Sequence, residues 1–186
     1  MMSLPARTAL IVIDVQQGFN EPRWGARNNP AAEANIARLL AAFRAAGRTV
    51  IHVQHDSAAA TGAFRPGSAG HRVKPEAAPL EGERIYHKSV NSAFIGTTLE
   101  HDLRQAGIEG LVISGLTTNH CVSTTTRMAG NFGFATVIVS DATATFERMG
   151  LDGVMRPAEE VHWAALSDLS EEFATVASTD EVLTAV

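Results

Sequence analysis

Residues Thr8 to Ile13 read TALIVI, an apolar run without the alternation of a half-exposed strand. Such a run suits a strand covered on both faces, as in a parallel sheet flanked by helices. It stops at Asp14. In open α/β sheets, ligands bind at the carboxyl ends of the strands, so a charged residue there is placed for chemistry. Taken alone, Asp14 is more simply a turn cap.

The chain continues in alternation. Ile36, Leu39, Leu40 and Phe43 predict a helix over Ala31–Ala46, closed by Gly47. Arg48–Gln54 reads as the second strand, and this β-α-β order favours a parallel sheet with right-handed crossovers. Further strands are expected over Glu83–His87, Gly110–Ser114, Phe134–Ser140 and Phe173–Ala177. Helices are expected over Thr97–Ala106 and Asn119–Asn131. Another should begin at Pro157, burying Val161, Ala164, Ala165 and Leu169, and a last one runs to Val186 with Thr179–Asp180 as its cap. The second of these is rich in threonine, a weak helix former, so tertiary packing must hold it. Two stretches lack a period. Asn20–Pro30 reads as a loop containing Trp24. Asp56–Gly82 is long enough to cover an active-site mouth or reach a neighbouring subunit.

At 186 residues the chain fits one domain, residues 1–186, with a sizeable core. A net charge of −5 gives no electrostatic case for nucleic acid or an anionic membrane as partner. Apolar runs are strand-length, and the N-terminus lacks a signal-peptide core, so the expected location is the cytoplasm. A single cysteine excludes an intramolecular disulfide and a cysteine-clustered zinc site.

That cysteine lies in Val112-Ile113-Ser114-Gly115-Leu116-Thr117-Thr118-Asn119-His120-Cys121-Val122, where a strand breaks at a glycine and feeds a helix. A thiol there would feel the positive end of the helix dipole, which favours thiolate. Asp14, Lys88 and Cys121 each follow a predicted strand, so a parallel sheet would bring them to one edge. Singly they read as a cap, a solvated charge and a small buried hydrophobe; their shared placement points to chemistry.

The motifs Asp14-Val-Gln-x-x-Phe, Lys88-x-x-x-Ser-Ala-Phe and Gly-Leu-Thr-Thr-Asn-His-Cys121-Val resemble those of the isochorismatase-like cysteine hydrolases, a superfamily that includes nicotinamidases and N-carbamoylsarcosine amidases. The resemblance covers nearly the whole chain. It implies a three-layer α/β/α sandwich on a six-stranded parallel sheet, in homodimers or homotetramers. It also implies a catalytic Asp14–Lys88–Cys121 triad, and an oxyanion hole made by the N–H groups of Thr117 and Cys121, with a cis bond between Leu116 and Thr117. In these roles Asp14 takes the thiol proton, Cys121 attacks a carbonyl carbon, and Lys88 holds Asp14 ionised.

Phe19, Trp24, Phe64, Asn91, Phe94, Asn119 and His120 are candidate contacts for a small planar substrate, each with core packing as the alternative. His55 is a further candidate lining residue. Arg65 and Arg72 could pair with a carboxylate, although solvated loop charges are the plainer reading. Nicotinamidases hold a metal through an aspartate and histidines after the second strand. Here Gln54-His55-Asp56 departs from their Asp-x-His arrangement, so the histidines read as polar lining and surface groups, with no metal and no cofactor expected. The expected function is a hydrolase of small amides, ureides or imides. A vinyl-ether hydrolase of the isochorismatase type is the alternative, and a thiol sensor ranks last.

Overall fold

The computed structural model describes residues 2–186. Thr8–Ile13 forms β1, buried along its whole length. The two-residue period of a strand divides its side chains between layers. Ala9, Ile11 and Ile13 enter one apolar cluster, Leu10 and Val12 another.

After β1 come α1 (Ala32–Ala45), β2 (Val50–His55), β3 (Arg84–Lys88), α2 (Leu99–Gln105) and β4 (Gly110–Leu116). These are followed by α3 (Ser123–Asn131), β5 (Ala135–Ala144), β6 (Arg148–Met149), β7 (Met155–Arg156), α4 (Ala158–Ser167), β8 (Thr175–Ala177) and α5 (Thr179–Ala185). Six strands form one parallel sheet in the order β3-β2-β1-β4-β5-β8. α1 packs on one face through Ile36, Leu39, Leu40 and Phe43, beside Val182 of α5. The other face is covered by Leu99 and Leu103 of α2, Ala129 of α3 and Leu166 of α4. The result is a three-layer α/β/α sandwich. None of the described helices is long and apolar enough to cross a membrane.

α1 ends as its sequence predicts. Gly47 takes φ +64°, and the N–H of Arg48 donates to the Phe43 carbonyl at 2.9 Å, closing the last turn. The cap of α5 is one residue earlier than expected. Ser178, not Thr179–Asp180, caps it, in a reciprocal box with Glu181. In α4 the expected face also shifts. Ala158, His162 and Leu166 are the buried residues of the helix, while Ala164 is exposed. His162 can be buried because its Nδ1 meets Thr118 Oγ1 at 2.9 Å, which satisfies a group that would otherwise be costly to desolvate.

Three irregularities shape the sheet edge that carries the site. Asp14 sits at φ +52°, so the chain turns sharply as it leaves β1. The β4–β5 register shifts between Ile113 and Gly115, which pair with Ile138 and Thr143. The extra β5 residues bulge out over Asn29, whose Nδ2 donates to the carbonyls of Ser140 (2.9 Å) and Thr143 (2.7 Å), and a bulge of this kind re-aims the strand beyond it. Finally, Thr118–Val122 forms a single π-helical turn ahead of α3, with the Val122 N–H donating to the Thr117 carbonyl at 3.3 Å. The threonines of α3 work as packing and hydrogen-bonding groups. Thr126 Oγ1 donates back to the Val122 carbonyl, and Thr125 Oγ1 accepts from the Ala93 N–H.

Candidate active site

β1 and β4 are neighbours, and β3 lies one strand beyond β2, so the three sheet-edge residues come together from separate parts of the chain. Lys88, the last residue of β3 rather than the first after it, directs Nζ to Asp14 Oδ2 at 2.6 Å; both side chains are shut off from solvent. The second carboxylate oxygen, Oδ1, is buried without a hydrogen-bond partner. Cys121 Sγ, an Asp14 carboxylate oxygen and a His55 ring nitrogen all lie within 4.8 Å of one another. The Leu116–Thr117 peptide is cis.

The electrostatics differ from the thiolate that the helix terminus predicted. Burial, followed by the negative charge of Asp14, pushes the Cys121 thiol up to about 12, outweighing the pull of Lys88. Burial also raises the Asp14 carboxyl above its ordinary value, against the lowering effect of Lys88. A single turn of helix N-terminus cannot offset the loss of water around sulfur and the adjoining carboxylate. Burial thus favours the neutral form of both groups, opposed at each by the Lys88 charge.

Above the thiol is a cavity of about 270 Å³. Of the residues singled out from sequence, Phe19, Trp24, His55, Phe64, Asn91, Thr117, Asn119, His120 and Cys121 line it together with Asp14. Phe94 does not: it is buried in the core against Phe132 and Phe134. Arg65 and Arg72 also lie outside the lining. The aromatic wall is continuous, with Phe19 ring centres 4.6 Å from Phe64, 5.5 Å from Trp24 and 6.0 Å from Phe146. Phe64 is how the 56–82 stretch reaches the site. The stretch is tied back to the chain after β1 by Gln17 and Gly18 N–H bonds to the Arg72 and Gly70 carbonyls.

Sequence reading missed the segment from Thr145 to Arg148. The β5 bulge delivers Thr145, Phe146, Glu147 and Arg148 to the cavity rim, and Arg148 opens the short β6–β7 hairpin. Thr145 Oγ1 donates to Asn119 Oδ1 at 2.6 Å. Arg148 Nη1 lies 2.9 Å from His120 Nε2, whose other ring nitrogen is 3.4 Å from Thr117 Oγ1. Burial and the Arg148 charge lower the His120 pKa, so a neutral imidazole accepts from Arg148 and donates toward Thr117. Among the cavity arginines, Arg23 is paired with Glu21 at 2.7 Å.

The histidines that sequence reading assigned to polar surface are more organised than expected. His71 Nε2 and His87 Nδ1 lie 2.7 and 3.0 Å from the same oxygen of Asp56. These three side chains have the donor atoms to hold a divalent cation. Here they satisfy one another through hydrogen bonds, and none of them lines the cavity.

The isochorismatase domain family model matches residues 8–181. The isochorismatase family protein YrdC of Bacillus subtilis is 45% identical over 177 residues, covering 95% of each chain. The ureidoacrylate amidohydrolase RutB of Variovorax paradoxus is 31% identical over 171 residues, covering 73% of this chain and 68% of its own. A crystal structure of an isochorismatase-family protein from Chromobacterium violaceum superposes with a TM-score of 0.97 at 42% identity, covering 99% of this chain and 96% of that one.

Proposed function

The chain belongs to the isochorismatase family of hydrolases, and from that membership we propose that it cleaves a C–N bond of a small amide, ureide or imide through a thioester on Cys121. One observation carries the reading. Beneath an aromatic-walled cavity, Cys121 Sγ lies within 4.8 Å of an Asp14 carboxylate oxygen, and the Asp14 Oδ2 atom accepts from Lys88 at 2.6 Å.

In this reading Asp14 Oδ1 takes the thiol proton as sulfur forms its bond to the carbonyl carbon. The developing oxyanion is met by the N–H groups of Thr117 and Cys121; one such donor is worth a factor of ~10²–10³ in rate. The C–N bond then breaks as Asp14 returns the proton to the departing nitrogen. A water molecule, giving its proton to Asp14, adds to the thioester. The C–S bond breaks, the acid leaves and the thiol is restored. Lys88, bonded to Asp14 Oδ2, opposes the effect of burial on that carboxyl and keeps it aimed.

A relative named as an amidohydrolase supports a C–N substrate. Hydrolysis of a vinyl ether, the alternative within the family, has no need of a nucleophilic thiol, so Cys121 favours the amide. Ammonia or amine release across a panel of small primary amides, ureides and imides tests the reading. Activity on at least one member should vanish in Cys121→Ala, and a Cys121→Ala variant with full turnover would falsify the thioester route.

A further inference from the structure

A buried lysine ammonium carries three N–H donors, and each one left without an acceptor destabilises the fold. Lys88 Nζ is fully enclosed, and Asp14 Oδ2 accounts for one donor. The second faces His55 Nδ1 at 3.3 Å. The Cys121 sulfur is their neighbour, within 4.8 Å of an Asp14 carboxylate oxygen and a His55 ring nitrogen. Carboxylate oxygen, imidazole nitrogen and sulfur in such a triangle resemble the ligand set of a metal ion. In this protein the oxygen and the nitrogen contact the Lys88 ammonium.

We infer that His55 is a positioning residue, the acceptor that fixes the Lys88 ammonium between Asp14 and Cys121, rather than a contact for substrate. The inference rests on the triad reading above. Several features hold the imidazole in place. His55 and Lys88 are register partners on adjacent parallel strands. The His55 backbone is clamped on both sides by the fully buried Gln16, which accepts from its N–H at 2.9 Å and donates to its carbonyl at 3.2 Å. Phe64 stands edge-on to the ring, with centres 5.9 Å apart. An ammonium can only donate, so the ring proton belongs on Nε2 and Nδ1 serves as the acceptor. Without it the ammonium can swing away from the thiol, and the Asp14 carboxylate turns with it.

His55→Leu and His55→Asn separate the roles, because the Asn Oδ1 atom occupies the position of His Nδ1. Two readouts are needed: steady-state kinetics on whichever panel amide is turned over, and the rate of Cys121 alkylation by iodoacetamide. His55→Leu should lower kcat about tenfold or more with KM little changed, and should slow alkylation. His55→Asn should restore both to within about threefold. If His55→Leu does not fold, His55→Ala with and without added imidazole takes its place, and imidazole should raise the rate. A raised KM with unchanged kcat would make His55 a substrate contact and overturn the inference, as would equal behaviour of the Leu and Asn variants. A Cys121→Ala enzyme with full activity would instead overturn the triad reading itself. Loss of activity in Cys121→Ala beside a fully active His55→Leu would remove the inference alone.

Discussion

Lys88 Nζ lies 2.6 Å from Asp14 Oδ2 with neither side chain open to solvent. Removing one member strands the other charge in the interior, a loss of about 3–5 kcal/mol, whereas replacing both with apolar groups is often close to neutral. Lys88→Met should therefore lower the unfolding free energy by about that amount. Asp14→Leu combined with Lys88→Met should recover most of it while turnover stays absent. Urea unfolding followed by tryptophan fluorescence measures the first quantity. A double variant as unstable as the single one would mean that the pair is needed for folding.

Cys121 should titrate late. Its thiol is pushed up to about 12 by burial and then by the Asp14 charge. The iodoacetamide rate should accordingly keep climbing beyond about pH 9, where an ordinary thiol approaches its plateau. Asp14→Asn removes one of the two raising influences and should bring the inflection down. A plateau near the free-thiol value in the unaltered protein would contradict the desolvated site.

Glu33 predicts the acid limit of stability. Its carboxylate accepts from Arg27 Nη1 at 2.7 Å and Lys74 Nζ at 2.6 Å, and these bonds, outweighing burial, lower it from 4.5 to about 2. A depressed carboxyl stabilises the fold fully above its unfolded value of 4.5, and that contribution drains away as pH falls through about 2. Glu33→Gln should flatten the fall in stability over this window by about 2–3 kcal/mol. Equal slopes for the two proteins in acid melts would remove Glu33 from the account.

Two glycines with positive φ should respond differently to alanine. A Cβ on Gly115 (φ +124°) would sit 2.0 Å from the Ile13 carbonyl oxygen, whereas one on Gly47 (φ +64°) would meet nothing within 4 Å. Gly47→Ala should cost about 1 kcal/mol, the conformational penalty alone. Gly115→Ala must also part β1 from β4, and should cost at least about 3 kcal/mol and reduce turnover. Similar melting temperatures for the two variants would contradict this difference.

The layers and the sheet-edge placement of Asp14, Lys88 and Cys121 could be read from sequence because unbroken apolar runs and glycine stops are local signals. Phe94 and Phe19 occupy similar motif positions, yet one packs in the core and the other lines the cavity; only tertiary direction separates them. The burial of His162 has no local signal, since its partner Thr118 lies 44 positions away. Arg148 escaped because β6 and β7 are two residues each, too short for any period to register. The raised thiol depends on distances and excluded water, and neighbouring letters do not report those.

The sheet order has a kinetic consequence. β1 pairs with β4 from Thr8↔Gly110 to Ile13↔Gly115, so the first strand must wait for partners made some hundred residues later in the chain. Contacts of such long sequence separation are slow to form, because loop-closure entropy is lost before they return any stability. Asp14 and Cys121 meet only when that pairing is complete. Catalytic competence should therefore be among the last properties regained on refolding, trailing the helical signal, and truncated nascent chains that end with β4 at Leu116 would hold Asp14 and Lys88 with no thiol to serve.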